Sequence, residues 1–501
     1  MQSAQSYRLG TRSASRRRIK QSRKRGGPTF DLCVPPSLPA SLSPLTAGQL
    51  PLLSTKELDS SAALLRRAHL VLAFIMHFYI QSLPPDASVV IPRPIALPIL
   101  HVSACLDIPP LLTYSDTVLY NWVITSPPSS SSPLCPSPSS SSSVTLDHLP
   151  TISNIRSKTL FSDLPDEEEF YLCSARIELR GVEALELMRA TMDEIFIGDL
   201  TAVRRISGYL NTMSTVIDDL RTLLMDVRNG CRPNPYYNEV RPWFRGQDSD
   251  DNGRKWVFEG VEEEEEGVRV PMELSGPSAG QSSIVHVLDV FLGVDHQGGS
   301  RQQHQQPQPP PVASTSSAPS SLLFPPPSLS STGPPLPRPP LVSTSQSAPA
   351  GPVKDRPSFM CRMQTYMPHN HRAFLDHLSA NSRPLRTFVA ASGDPELLDS
   401  FNKAVKSLKE FRDAHMIIAT LYILGPARKA AKMKAELKVR EREKLAAREA
   451  VAVLGKGIWV GGGGSGSGRE VPRTPLKGTG GTDLVRFLKD TRNRTSETML
   501  R

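Results

Sequence analysis

Phe411-Arg-Asp-Ala-His-Met-Ile-Ile-Ala-Thr-Leu-Tyr-Ile-Leu424 is an apolar helical stretch that carries one histidine, His415. No second histidine stands within a turn or two of it, and no Cys, Asp or Glu follows before the apolar run ends. A zinc site would draw several ligands at short spacing. Two readings fit a lone imidazole on a mostly buried helix. It is a hydrogen-bonded core residue, or it is the single axial nitrogen that a haem needs, with the other face of the iron left open. Periodicity alone favours the first.

Outward from this stretch, the pattern is helical almost throughout. Helical order runs from about Phe359 to Leu424, and Gly425-Pro426 then stops or kinks it. Leu64 to Tyr79 is a strong helix pattern, with Arg66, Arg67 and His69 near one side. Ile91-Pro-Arg-Pro-Ile-Ala-Leu-Pro98 reads as an ordered, extended connector, because its prolines exclude a central strand or helix. Leu111 to Trp122 is a helix candidate opened by Pro109-Pro110. Asp166-Glu-Glu-Glu-Phe170 puts acids where a helix N-terminus favours them. Ala184 to Phe196, Val216 to Leu224 and Ser282 to Leu292 are further amphipathic patterns. Strand signals are almost absent, so the expected class is all-α: a small helical domain plus a large one, with disordered insertions.

The 501 residues suffice for roughly two to four domains, but much of the length cannot bury a core. The expected division is a disordered basic tail (1–30), the small helical domain (31–125), a Ser/Pro-rich insertion (126–165), the first segment of the large domain (166–295), a Gln/Pro/Ser insertion (296–353), the segment of the large domain bearing His415 (354–425), a charged helix with a Gly/Ser linker (426–470), and a C-terminal loop and helix (471–501).

The net charge of +9 is concentrated at one end. Residues 1–30 hold nine of the 58 Lys and Arg and no acid, which leaves 49 basic against 49 acidic side chains elsewhere. The body is neutral and gives no electrostatic case for nucleic acid. Arg16-Arg-Arg-Ile-Lys20 and Arg23-Lys-Arg25 suit a solvated arm, a nuclear signal or a mitochondrial presequence. Six scattered cysteines without a Cys-x-x-Cys argue for a reduced compartment. The best candidate for a membrane span, Ala68 to Ile80, is too short and contains His69 and His77. The expected compartment is the cytoplasm, with a mitochondrial or nuclear address through the basic tail as the alternative, and the expected state is a monomer.

Several separated stretches, in order, resemble the indoleamine 2,3-dioxygenase family. They are Arg67-Ala-His-Leu-Val-Leu72, Ile91 to Pro98 and Leu112-Thr-Tyr-Ser-Asp-Thr-Val-Leu-Tyr-Asn-Trp122; Tyr236-Tyr-Asn-Glu-Val-Arg-Pro-Trp-Phe-Arg-Gly246; Ser275-Gly-Pro-Ser-Ala-Gly-Gln-Ser-Ser283 running into Asp289; Tyr366-Met-Pro-x-x-His-Arg-x-Phe374 leading to His415; and Lys477-Gly-Thr-Gly-Gly-Thr-Asp483. The resemblance implies a dioxygenase with haem b, using O2 to cleave the indole C2–C3 bond of L-tryptophan to N-formylkynurenine, on the kynurenine route towards NAD. A cellular reductant for the iron is implied as well. A homologue that keeps the fold and haem but turns over tryptophan poorly is the alternative.

The same resemblance implies roles residue by residue. His415 falls at the proximal iron ligand. Asp289 and Arg412 fall at an acid–arginine pair that orders it. Arg241 matches the arginine that holds the substrate carboxylate, for which a guanidinium fork is suited. Tyr236 and Tyr237 occupy two aromatic positions beside indole and haem, where animal members have Phe. Ser278, Ala279 and Gly280 form the small-residue loop against the macrocycle, and the first two also meet the substrate. Tyr114, Thr117 and Val118 line the indole pocket. Ser174 is the distal polar group, where the tetrameric tryptophan 2,3-dioxygenases would show a histidine. With no distal His or acid implied, both oxygen atoms add to the indole without an obligatory base. Thr479 belongs to a loop that closes over the substrate; its Gly-Thr-Gly-Gly lacks the Gly-Lys-Ser/Thr of a phosphate loop.

The tracts 126–143 and 296–353 cannot repay the entropy of ordering. Loop-closure cost grows by only about 0.6 kcal/mol per doubling of length. Replacing each with a short Gly/Ser linker should therefore leave turnover within about a factor of three. Limited proteolysis should nick both tracts first. A tract that resists protease, or whose deletion abolishes turnover, would have to fold onto the core.

Overall fold

The computed structural model describes residues 50–125, 149–250, 252–261, 270–296, 357–381, 384–454, 478 and 483–501. Helix α1 (Ala62–Ser82) starts where the Ser61 hydroxyl accepts from the Leu64 amide, which satisfies one of the donors a helix start leaves over. Its 21 residues are long and apolar enough to pass for a membrane span by length and composition, a longer apolar helix than Ala68 to Ile80 alone suggested. Half of that window is buried inside the protein, with Leu70, Ala73, Phe74 and Met76 fully enclosed.

Strand β1 (Val89–Ile91) and helix α2 (Arg93–Leu106) correct the extended reading of Ile91 to Pro98. Pro94 lies in the first turn of α2, where a missing N–H costs nothing. Pro98 lies inside the helix and removes one ladder bond. Burial of Ile95, Ala96, Leu97, Ile99, Leu100 and Val102 outweighs that loss, at roughly 1.5–3 kcal/mol for each large side chain fully buried. The helix expected over Leu111 to Trp122 shrinks to one wide turn, Ser115–Leu119, followed by β2 (Trp122–Ile124).

β2 pairs antiparallel with β3 (Ile155–Ser157), Val123 facing Arg156. The described residues 149–165 thus fall inside the stretch 126–165 that was expected to be an insertion, and they pack on the helical body. The segment is anchored through Phe161, which stacks on Phe74 at 4.2 Å and on Trp243 at 5.2 Å between ring centroids.

Two long helices follow: α3 (Pro165–Ile197), with Asp166, Glu167 and Glu168 in its first turn, and α4 (Leu200–Gly230). They are joined by Gly198 at φ +71°, and Asp199 caps α4 by accepting from the Ala202 amide. Val203, Ile206, Leu210, Met213, Ile217 and Leu220 recur on one buried face of α4. β4 (Trp256–Phe258) returns to pair parallel with β1. Helices α5 (Ser283–Leu292), α6 (Phe359–Gln364), α7 (His369–Ser379) and α8 (Leu385–Ser392) lead to α9 (Pro395–Ala419). α9 lies along α4 and buries Leu397, Phe401, Ala404, Val405 and Leu408. Ser214–Ser407 and Asn211–Ser400 hydrogen bonds, each 2.9 Å, fix their register.

After α9 comes a second wide turn, Thr420–Leu424, and then the exposed, charged α10 (Gly425–Leu454). Gly425-Pro426 therefore does not end the helical chain: the wide turn runs without a break into α10, whose second residue is Pro426. α11 (Leu484–Glu497) packs back on α9. The protein is all-α, its four strands being three residues each among the described residues. The tail 1–30, the tracts 126–143 and 296–353, and Gly461 to Gly468 lie outside the described residues.

Two glycines predict opposite outcomes. A Cβ on Gly276 would meet the Phe244 carbonyl oxygen at 1.9 Å, so Gly276→Ala must push the facing backbones apart. It should destabilise by at least about 1–3 kcal/mol, as overpacking does. Gly208 is exposed on α4 with nothing within 4 Å of such a Cβ. Gly208→Ala should stabilise by about 0.5–1 kcal/mol. Denaturant unfolding of both variants checks the pair.

Candidate active site

The end of α9 and the wide turn after it place His415, Ile418, Ala419, Tyr422 and Ile423 along one side of a cleft of about 1200 Å3, counting its open mouth. Among the described residues, none hydrogen-bonds the His415 imidazole. Burial, helped by the nearby Arg412 charge, pushes its pKa down to about 4. The ring is therefore neutral at physiological pH and free to act as a nitrogen donor. The core reading of this residue required a partner, and none of the described residues supplies one.

Three residues before His415, Arg412 is buried and ion-paired to Asp289 of α5, and it also donates to the Thr495 hydroxyl of α11. Asp289 accepts a second bond from His296 Nε2 at 2.6 Å. Burial would raise the Asp289 carboxyl, but Arg412 and His296 outweigh it and hold its pKa below the ordinary value. This brace fixes the turn of α9 that presents the imidazole.

Another part of the lining is made of small residues. Ser278 caps the tight turn Ala279–Gln281 by accepting from the Gly280 amide at 3.2 Å. A Cβ on Gly280 would stand 2.9 Å from the Phe359 ring, so the close approach of this turn to α6 requires glycine. Pro277, Ser278, Ala279 and Gly280 all line the cleft. Beside them stand Tyr114, Thr117 and Val118. Their loop is pinned by buried histidines. His69 bonds Asp116 at 2.8 Å, and His77 bonds the Trp243 carbonyl at 2.8 Å while accepting from the Leu112 amide. Burial holds His77 neutral, with a pKa of about 4.

Glu178 of α3 is a functional neighbour that sequence reasoning missed. It accepts from the Tyr114 hydroxyl at 2.9 Å and from the Ser282 hydroxyl at 2.6 Å, tying the Tyr114 loop to the start of α5. Burial pushes its pKa up against those two bonds. No family stretch includes it; only its helical spacing from Ser174, one turn earlier, hinted at this side of α3. Phe170, Tyr171, Phe244, Phe359, Tyr422 and Phe487 were missed as well. They make the cleft an aromatic box, with Tyr236 4.6 Å from Phe170 and 5.6 Å from Tyr422 between centroids.

Of the expected residues, His415, Ser174, Tyr114, Thr117, Val118, Tyr236, Ser278, Ala279 and Gly280 line this one cleft. Asp289 and Arg412 stand behind His415. Tyr237 and Arg241 do not line it. Arg241 is buried, with its guanidinium 5.6 Å from the Tyr237 ring and close enough to lower the Tyr236 phenol against the upward push of burial. Thr479 lies outside the described residues, although its neighbour Gly478 reaches the cleft. Among the described residues no Asp, Glu, Lys or Arg lines the space.

The sequence model of the family described as indoleamine 2,3-dioxygenase matches residues 45–498. The chain belongs to that family. An indoleamine 2,3-dioxygenase of Saccharomyces cerevisiae is 28% identical over 443 residues, which cover 87% of this chain and 78% of the relative. The human indoleamine 2,3-dioxygenase 2 is 25% identical over 459 residues, covering 90% and 83%. The indoleamine 2,3-dioxygenase nanC of Aspergillus nanangensis is 24% identical over 454 residues, covering 89% and 83%. Membership in the indoleamine 2,3-dioxygenase family makes the chain an oxidoreductase of the dioxygenase kind. For such an enzyme the cleft has the right character: one neutral imidazole, an aromatic box, and a glycine-walled side.

Removing Asp289 would leave Arg412 buried with its charge uncompensated. Asp289→Ala should cost about 3–5 kcal/mol, read as a lowered midpoint in chemical unfolding. The depressed carboxyl sets the pH window. Its stabilisation is present above the ordinary carboxylate range and is lost as pH falls through the lower folded-state value. Acid should therefore narrow the gap between wild type and Asp289→Ala; a gap that stays constant with pH would contradict the assignment.

Proposed function

We propose that the chain is a haem-dependent dioxygenase that cleaves the indole C2–C3 bond of L-tryptophan with O2 to give N-formylkynurenine. The observation that carries the reading is His415, a neutral imidazole lining an apolar, aromatic cleft and hydrogen-bonded by none of the described residues. Desolvation keeps the half-buried ring in its neutral form, so its lone pair is open to a metal. The residues present fit haem b. His415 would hold the iron, and the Arg412–Asp289 brace would fix the ligand's helix turn. The Ser278–Gly280 turn gives a flat ring a wall without bulky side chains. Haem supplies the redox chemistry that activates O2.

The chain's own residues bind, orient and exclude water. Tyr114, Thr117 and Val118 offer an apolar wall with one hydroxyl, suited to an indole ring. The Tyr114 hydroxyl donates its hydrogen bond to Glu178, so that hydroxyl is already engaged. Ser174 adds a small hydroxyl on α3. The absence of carboxylates and amines from the described lining suits a reaction in which both oxygen atoms enter the product and no side chain removes a proton. By resemblance to the family, Arg241 would hold the amino-acid carboxylate, although it lies against Tyr237 and outside the described lining of the cleft, and Thr479 would belong to the substrate-closing loop.

His415→Ala should abolish the Soret band or leave it like that of free haem. A normal ferrous spectrum with CO and normal turnover in that variant would exclude His415 as the ligand. Arg241→Ala removes a charge-assisted contact worth about 1.5–3 kcal/mol, so apparent tryptophan binding should weaken by about tenfold to a hundredfold. Tryptamine, which lacks the carboxylate, should lose much less. Equal losses for the two ligands would make Arg241 a structural residue.

A further inference from the structure

Away from the cleft, three side chains of unlike chemistry converge. His101 and Cys105 stand one turn apart on α2, and Asp59 follows the short turn Lys56–Leu58 just before α1. His101 Nε2 lies 3.0 Å from Asp59 Oδ1, Cys105 Sγ lies 3.7 Å from the same oxygen, and Sγ lies 3.6 Å from Nε2. We propose that Asp59, His101 and Cys105 form a binding site for a borderline-soft divalent cation, Zn2+.

The distances carry the case. Tetrahedral zinc with bonds of about 2.0 Å to oxygen, 2.05 Å to nitrogen and 2.3 Å to sulfur sets its ligands about 3.3 Å (N to O), 3.6 Å (N to S) and 3.5 Å (S to O) apart. The observed edges depart from these by about 0.3 Å or less, within the movement of a side chain. One nitrogen, one sulfur and one oxygen exclude Mg2+ and Ca2+, which take oxygen sets, and favour zinc. Two ligands come from one helix and the third from the turn beside the Ser61 cap, so all three sit on ordered backbone. Asp59 and Cys105 are exposed and His101 is half-buried, so water has access to the fourth position.

Burial and the Asp59 charge raise the Cys105 thiol above its ordinary value, so without a cation the cluster keeps its proton. Coordination releases that proton to solvent as the thiolate binds the metal. Bound zinc ties the turn before α1 to the last turns of α2. The chain then runs on through Asp107 into the loop that carries Tyr114 and Thr117 to the cleft.

The test uses the full-length protein as purified, equilibrated with zinc chloride at micromolar concentration, with bound metal counted by mass spectrometry and its ligands read at the zinc K-edge. That edge separates zinc from any iron. The expected result is one zinc per chain, with one sulfur at about 2.3 Å and nitrogen or oxygen at about 2.0–2.1 Å. Cys105→Ser should erase the sulfur shell. Cys105→Ser, His101→Ala and Asp59→Asn should each weaken binding by at least about tenfold, while Cys361→Ser changes neither count nor spectrum. Zinc should raise the melting temperature of wild type and not that of the three site variants. Unchanged binding in Cys105→Ser or His101→Ala, a wild-type spectrum without sulfur, or no zinc retained would overturn the site.

Discussion

The buried contact between Arg412 and Asp289 is the constraint around which the rest is arranged. It joins α5 to α9 across a sequence gap of more than a hundred residues, and Thr495 draws α11 onto the same guanidinium. A charge this enclosed is tolerated only with full compensation, so the three helices must meet at one spacing. That spacing fixes the azimuth of α9 and hence the direction in which the imidazole one turn later points. The ion pair contributes geometry more than net stability, since burying both charges costs much of what their attraction returns.

The cleft itself is built the opposite way. Its walls are aromatic and apolar, with burial driving every lining phenol towards its neutral form. Among the described residues charged groups stand outside the lining: Glu178 bonded to Tyr114, Arg241 against the Tyr237 ring, and Arg412 one turn before His415. A low-dielectric pocket ringed by fixed charges can hold neutral, polarisable ligands without taking up protons itself.

Much of this was legible in the chain. Helical patterning located α1 and α5 and the span that holds α9, a terminal helix was expected after the Gly-rich block, and the order of short stretches led to the family and to nine residues that line one cleft. What escaped has physical causes. The helix through Pro98 was hidden because local propensity argued against it and only burial on α1 argues for it. The register of β2 with β3 depends on partners more than thirty residues apart, bordering a Ser/Pro tract that carries no signal of return. Glu178 and the aromatic box lie on elements whose sequence pattern says buried face but not buried against what. Arg241 carried a family role, yet its place against Tyr237 is set by a tight turn that no periodicity announces.

The parallel pairing of β1 with β4 bears on the order of assembly during synthesis. Val89 meets Trp256, and His77 of α1 meets the Trp243 carbonyl, so each contact spans 166 or 167 positions of chain. Residues 50–125 cannot settle against their final neighbours until the ribosome has delivered that later segment. Contacts so distant in sequence form late and slowly. Until then α1 can pack on α2, while its surface around His77 and the edge of β1 still lack their later neighbours and are open to association. Growth rate and chaperone supply, as much as intrinsic stability, are then set to govern how much of the nascent chain reaches the native state.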